Sequence, residues 1–212
     1  MKKHIIIAGV PRAGKSTTSQ LISKVYGYQH ISMDSIISGI EENFPEIGID
    51  TDANMSSEDI LYNISGKIAP FIRSMMDSGE YDELSYGMVI DIYQLLPQHY
   101  AKYIDDTVCD IYYFLSSDVT PKERFEILKH HDTPNDYTYH KSDDENMESC
   151  IDLVEISKLI KEQCLKYGLS YYETSRNRND VIDMFIKSIK NKWTYGEVVK
   201  LQFVWLNQTS IM

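Results

Sequence analysis

The stretch GVPRAGKST, residues 9–17, follows the apolar run HIIIA at 4–8. Gly9 and Gly14 bracket four residues and lead into Lys15 and Ser16, the full G-x-x-x-x-G-K-[ST] pattern. Glycines let the backbone bend so that successive N–H groups point inward at phosphate oxygens. A helix starting at Lys15 presents its positive end to the same anion. In such a loop the lysine reaches the β and γ phosphates and the serine hydroxyl ligands Mg2+. The required context is a strand before and a helix after. Residues 5–8 are all apolar without alternation, as suits a strand covered on both faces. KSTTSQLISKVY, 15–26, carries Leu21, Ile22 and Val25 on one side of a helix. Gly9, Arg12, Ala13, Gly14, Lys15, Ser16 and Thr17 therefore form the candidate phosphate site. The loop alone does not decide between phosphoryl transfer, hydrolysis that drives a switch, and binding.

Outward from the loop, strand and helix alternate. YQHIS at 28–32 reads as a second strand, with a helix from near Ser35. Residues 43–57 carry Pro, Gly, Asn and Asp and read as a loop. Ser56 with Asp59 opens a helix to about Ser78, with Gly79 just beyond. Ile60, Ile64, Ile68, Phe71 and Met75 recur there at helical spacing, and Pro70 predicts a kink or break. SYGMVID at 85–91 is the third strand, Pro97 starts a helix, and TVCDIYYFL at 107–115 is the fourth strand. Thr120-Pro121-Lys122-Glu123 is a strong helix start. A polar stretch at 130–145 precedes a helix over 146–167, and LSYYETS at 169–175 is the fifth strand. Asn179 or Asp180 is expected to cap a last helix through Lys190. The tail 193–212 could form a strand or a docking segment. This alternation implies an α/β fold with a mostly parallel sheet.

The net charge of −11 and the lack of a basic stripe argue against nucleic acid and against an anionic membrane surface. No run of about 18 apolar residues occurs. Three cysteines, Cys109, Cys150 and Cys164, with no CxxC, fit packing roles in a reducing cytoplasm. The expected partner is a small molecule; whether the chain forms a homodimer is left open.

GVPRAGKST after a short apolar strand resembles the P-loop of small kinases of the nucleoside-monophosphate, shikimate and gluconate type, and of adenylate-kinase-like P-loop proteins of bacteria. The resemblance runs from about residue 3 to 190, with only the P-loop highly specific. It implies a three-layer P-loop NTPase fold with a five-stranded parallel sheet, ATP with Mg2+, and a mobile helical lid after the fourth strand. The corresponding organisation is a kinase domain over 1–191, with an acceptor-binding helical region at 35–80, a lid at 118–145, and an extension at 192–212. Other P-loop classes lack support. A GTPase needs Asn-Lys-x-Asp, and NKWT at 191–194 ends in Thr194. An AAA-type or transporter ATPase pairs its strand-end Asp with Glu, and Ile92 follows Asp91 here.

Phosphoryl transfer asks for positioning, charge neutralisation and a carboxylate near the acceptor. Asp34 and Asp91 follow or end strands, where open α/β sheets bind ligands. In the resembling kinases an Asp after the second strand orients the acceptor hydroxyl; Asp34 matches, and its alternative is a helix cap. Asp91 matches the place that serves Mg2+ together with Ser16, and its alternative is a turn. Lys122, Arg124 and Lys129 on the lid helix are either cations for the transferring phosphoryl or a solvated face. Arg124 is the candidate for closing over the γ phosphate. SRNR at 175–178 falls where the resembling kinases hold adenine, so Arg176 or Arg178 could stack there. His130, His131 and His140 lack metal-ligand spacing. Tyr62, Tyr86, Tyr93, Tyr137 and Tyr139 could line an acceptor pocket.

The lid stretch 130–145 has no arginine and residues 35–85 offer only Arg73, which argues against AMP and toward a less anionic hydroxyl compound. Three functions stay open: a small-molecule kinase, a zeta-toxin-like kinase of a nucleotide sugar, and a nucleotide-binding module without transfer that acts through a partner on the tail.

Overall fold

The computed structural model describes residues 3–51, 53–78, 87–104 and 106–189. Gly79, Tyr86, the first residues of the expected third strand, Lys190 and the tail lie outside the described residues. Five strands form one sheet: β1 (His4–Gly9), β2 (Gln29–Ser32), β3 (Met88–Ile92), β4 (Cys109–Leu115) and β5 (Ser170–Glu173). Every pairing is parallel, in the order β2-β3-β1-β4-β5. Parallel neighbours need crossovers, and helices supply them. These are α1 (Lys15–Tyr26), α2 (Met33–Asn43), α3 (Ser57–Met76), α4 (Pro97–Tyr103), α5 (Pro121–His131), α6 (Asp143–Tyr167) and α7 over 178–189. This is the α/β fold expected from the alternation.

Ile5, Ile6, Ile7 and Ala8 are all buried, which explains why β1 shows no alternation: helices cover both faces. β1 lies between β3 and β4, so the chain builds one side of the sheet and then crosses to the other. Such a reversal opens a crevice at the carboxyl ends of the strands. The loop at 9–17 leaves β1 at that crevice.

Several local expectations shift. α2 begins at Met33 directly after β2, with Ser32 at its N-cap. α3 runs unbroken through Pro70. Its buried face of Leu61, Ile64, Ile68, Ala69, Ile72 and Met76 outweighs the roughly 3 kcal/mol cost of an interior proline. α7 starts at residue 178, before the expected caps Asn179 and Asp180, and the Val181 N–H bonds the Asn177 carbonyl instead. Among the described residues no helix is long and apolar enough to cross a membrane.

Candidate functional site

The loop after β1 is shaped by two glycines. Gly9 has φ 122, and a Cβ there would lie 2.0 Å from the Phe114 carbonyl oxygen of β4. Gly14 has φ 95 and precedes the first residue of α1. Between them Arg12 also takes the left-handed conformation, φ 63. That conformation costs a non-glycine residue about 1–2 kcal/mol. It turns successive backbone groups into the concave form that receives anions. Thr18 Oγ1 donates to the Gly14 carbonyl at 2.8 Å and ties α1 to the loop.

Lys15 is buried beneath this loop, and its Nζ donates to the Val10 carbonyl at 3.0 Å. Burial pulls the ammonium down to about 8; Asp34 and Asp91 push it back up, and Arg124 lowers it further. The two carboxylates selected from the sequence therefore both act on Lys15. Asp34 sits in the first turn of α2 and does not cap it; its Oδ1 accepts a long 3.4 Å bond from the Tyr93 N–H beyond β3. Partial burial raises its carboxyl, opposed by Lys15 and by that N–H. Asp91 is buried in β3, with His30 Nε2 3.0 Å from its Oδ2. Tyr93, between these elements, is pushed up to about 12 by burial and by the charges of Asp152, Tyr137 and Asp34.

Ser16 and Thr17 are exposed and help line a polar cavity of about 390 Å3, together with Arg12, Lys15, Asp136 and Arg178. A second cavity of about 340 Å3 lies beside it and shares Arg12, His131 and Arg178. Arg124, Arg176, Asn177 and Asp180 also line the second. The pair suits a nucleotide with its phosphates over the loop and its nucleoside toward the segment after β5. Ala13 is buried under the loop. Ser16 lines the loop cavity, whereas Asp34 and Asp91 line neither cavity; a hydroxyl such as that of Ser16 and a carboxylate such as that of Asp91 are the oxygen donors Mg2+ takes. Among the described residues no group of three or more His, Cys, Asp or Glu could hold a metal. Mg2+ that binds through one carboxylate, waters and substrate phosphates needs no such group.

The segment that follows β4 is docked on the loop. Arg124 on α5 is buried and donates to the Pro11 carbonyl at 2.9 Å. Its burial lowers the guanidinium's affinity for its proton, and nearby Arg12 and Arg178 add to this. Arg12 pairs with Asp132 at 3.2 Å and with Asp136. Both carboxylates come from the arginine-free polar stretch. Asp132 also accepts from Thr138 Oγ1 at 2.6 Å, and Asp136 from the Thr133 N–H at 2.9 Å. Hydrogen bonds from Thr133, then Arg12, hold Asp136 below the usual carboxylate range.

Arg176 bonds Glu123 at 3.2 Å at the rim, while Arg178 Nη1 approaches the Arg12 carbonyl at 3.4 Å. Lys122 and Lys129 are not among the cavity-lining residues, and Lys129 pairs with Asp143. Arg73 pairs with Asp77 at the end of α3. His30, Asp132 and Asp136 escaped the sequence reading. His30 carried one signal: it stands two residues before Ser32, and so on the same sheet face as the register partner of Asp91.

No known family profile matches the chain. An adenylate kinase from Prochlorococcus marinus subsp. pastoris is 36% identical over 61 residues, 29% of this chain and 30% of that protein. The match thus spans under a third of that curated relative. Among solved structures, a sugar kinase from Janibacter sp. superposes with a TM-score of 0.53 at 12% identity, covering 90% of this chain and 95% of that one. A shikimate kinase from Bacteroides thetaiotaomicron gives 0.49 at 16% identity, covering 91% and 98%. The chain has the fold of the P-loop kinases, as its P-loop, strand order and helices indicate.

Proposed function

We propose that the protein is an ATP- and Mg2+-dependent phosphotransferase acting on a small molecule, a hydroxyl compound or a nucleotide. The observation that carries this reading is the loop itself, with Gly9, Arg12 and Gly14 in the left-handed region and the buried Lys15 beneath it. Bound Mg2+ would offset phosphate charge. The chain's own residues supply the remainder. The loop N–H groups and the start of α1 bind phosphate. Lys15 follows the charge that develops on the transferring group and needs no large reorganisation. Asp34, raised by its surroundings and open to solvent on one side, orients an acceptor hydroxyl and takes its proton. Ser16 and Asp91 would hold the metal. Arg124, already at the loop, screens the phosphoryl group. Arg12 must exchange Asp132 and Asp136 for phosphate oxygens, which couples nucleotide entry to the lid. Arg178 and Arg176 flank the nucleoside.

The acceptor side supports a weakly anionic partner. Arg73, the one arginine within residues 35–85, is engaged with Asp77. The described cysteines are all free and buried, which favours a cytoplasmic setting. The test is ADP release with Mg2+-ATP against a panel of nucleosides, nucleotides, sugars and hydroxylated antibiotics. One acceptor should give turnover that Lys15→Ala abolishes. Turnover that survives Lys15→Ala refutes the mechanism. ADP or ATP binding without release across the panel favours a binding module instead.

A further inference from the structure

Asp91 is 2% exposed at the carboxyl end of β3, and a buried carboxylate needs a partner that fixes both its charge and its direction. Its hydrogen-bond partner is His30 on the edge strand β2, at 3.0 Å from Nε2 to Oδ2. The register explains how they meet. Ser32 pairs with Asp91 and His30 with Val89, so His30 lies one step back from Asp91 on the same face of the sheet. An ionised carboxylate oxygen only accepts, so Nε2 carries the hydrogen and donates it.

Lys15 lies close enough to feel the charge of Asp91, yet no ion pair joins them; Lys15 bonds the Val10 carbonyl instead. An unrestrained Asp91 would swing toward the ammonium and use up both groups. The imidazole on Oδ2 opposes that collapse and ties the carboxylate to β2. His30 is half-buried, its side chain 23% exposed, so packing restrains the ring.

We propose that His30 is a positioning residue that orients Asp91 for the metal ion bound with the nucleotide. This rests on the reading of Asp91 as the metal-side carboxylate. Partners of this kind, acting behind a ligand, typically change metal affinity 10–100-fold when removed.

The experiment is calorimetric ADP binding to the full-length protein, in EDTA and across a Mg2+ titration. It compares wild type with His30→Leu, His30→Gln and Asp91→Asn. His30→Leu keeps volume and removes the donor. It should raise the Mg2+ concentration for half-maximal enhancement by about tenfold or more and leave ADP affinity in EDTA unchanged. His30→Gln, whose amide nitrogen can take the place of Nε2, should recover most of the loss. An unchanged Mg2+ requirement in His30→Leu overturns the proposal. So does a parallel fall in EDTA affinity, which would mark a structural role, or a failure of Gln to recover. If Asp91→Asn itself leaves the Mg2+ requirement unchanged, the placement of Asp91 at the metal has failed. If Asp91→Asn shifts it and His30→Leu does not, only the positioning role has failed.

Discussion

Replacing Lys15 by methionine removes a charge that the fold holds against its preference. Lys15 is 7% exposed, and burial lowers its ammonium from the ordinary 10.5 to about 8. At neutral pH the group is charged in both folded and unfolded states, so the native state carries a penalty of about 3 kcal/mol. Methionine has a similar unbranched length and carries no charge. It forfeits the bond to the Val10 carbonyl, worth about 1 kcal/mol. The net expectation is a gain of about 2 kcal/mol, or a Tm about 4–8 °C higher for a chain of this size. The pH dependence follows from linkage. Below about 8 both states hold the proton. Between about 8 and 10.5 the unfolded chain still holds it and the folded chain has released it, so the wild type gains stability as pH rises. The advantage of Lys15→Met is therefore largest below about pH 8 and fades toward 10.5. Thermal or urea unfolding at about pH 7 and about pH 9.5 reads this directly, and ADP binding should be lost in the same variant. A destabilised variant at neutral pH, or a difference that ignores pH, would refute the claim that Lys15 is held as a desolvated cation awaiting an anion.

Three further outcomes follow from the geometry. Gly9→Ala puts a Cβ 2.0 Å from the Phe114 oxygen and 2.7 Å from its nitrogen. It should cost more than about 4 kcal/mol in chemical denaturation, and a midpoint near wild type would contradict the close approach of β1 and β4. Thr120→Ala removes the capping box of α5, in which Thr120 Oγ1 accepts from Glu123 N–H at 3.2 Å and Glu123 accepts from Thr120 N–H at 2.7 Å. A loss of about 1 kcal/mol is expected, read as a lower urea midpoint; no loss would show that the packing of α5 on the loop, not the cap, holds the helix start. Asp136→Asn weakens one of the two carboxylates holding Arg12. ADP should bind several-fold more tightly by calorimetry, with a steeper salt dependence; weaker binding would mean that Asp136 supports the nucleotide rather than competing with it.

The elements that the sequence revealed most clearly are those whose reasons are local. The loop at 9–17 is one, since its glycines and lysine meet a demand of the backbone and of phosphate within nine residues. The start of α5 at Thr120-Pro121 is another, since capping is settled within one turn. Where tertiary packing competes with local preference, the reading slipped. Pro70 argued for a kink or a break, and with six buried side chains along α3 the helix does not break there. The start of α7 shifted because Asn177, one turn earlier, supplied the carbonyl.

By itself the sequence determined a glycine-bracketed loop of the P-loop pattern between a buried strand and a helix, an alternating α/β chain, and two aspartates at strand ends. These follow from backbone conformation, period and short-range chemistry. Only the tertiary structure decided how charges meet across the chain. It brought Asp34 and Asp91 to bear on Lys15, set His30 behind Asp91, and spent Arg12 on Asp132 and Asp136, about 120 residues away. It also buried Arg124 against the Pro11 carbonyl, turning a residue indistinguishable from surface charge into part of the loop's wall. Electrostatic partners are chosen by distance in space and by desolvation, and neither can be read from spacing along the chain.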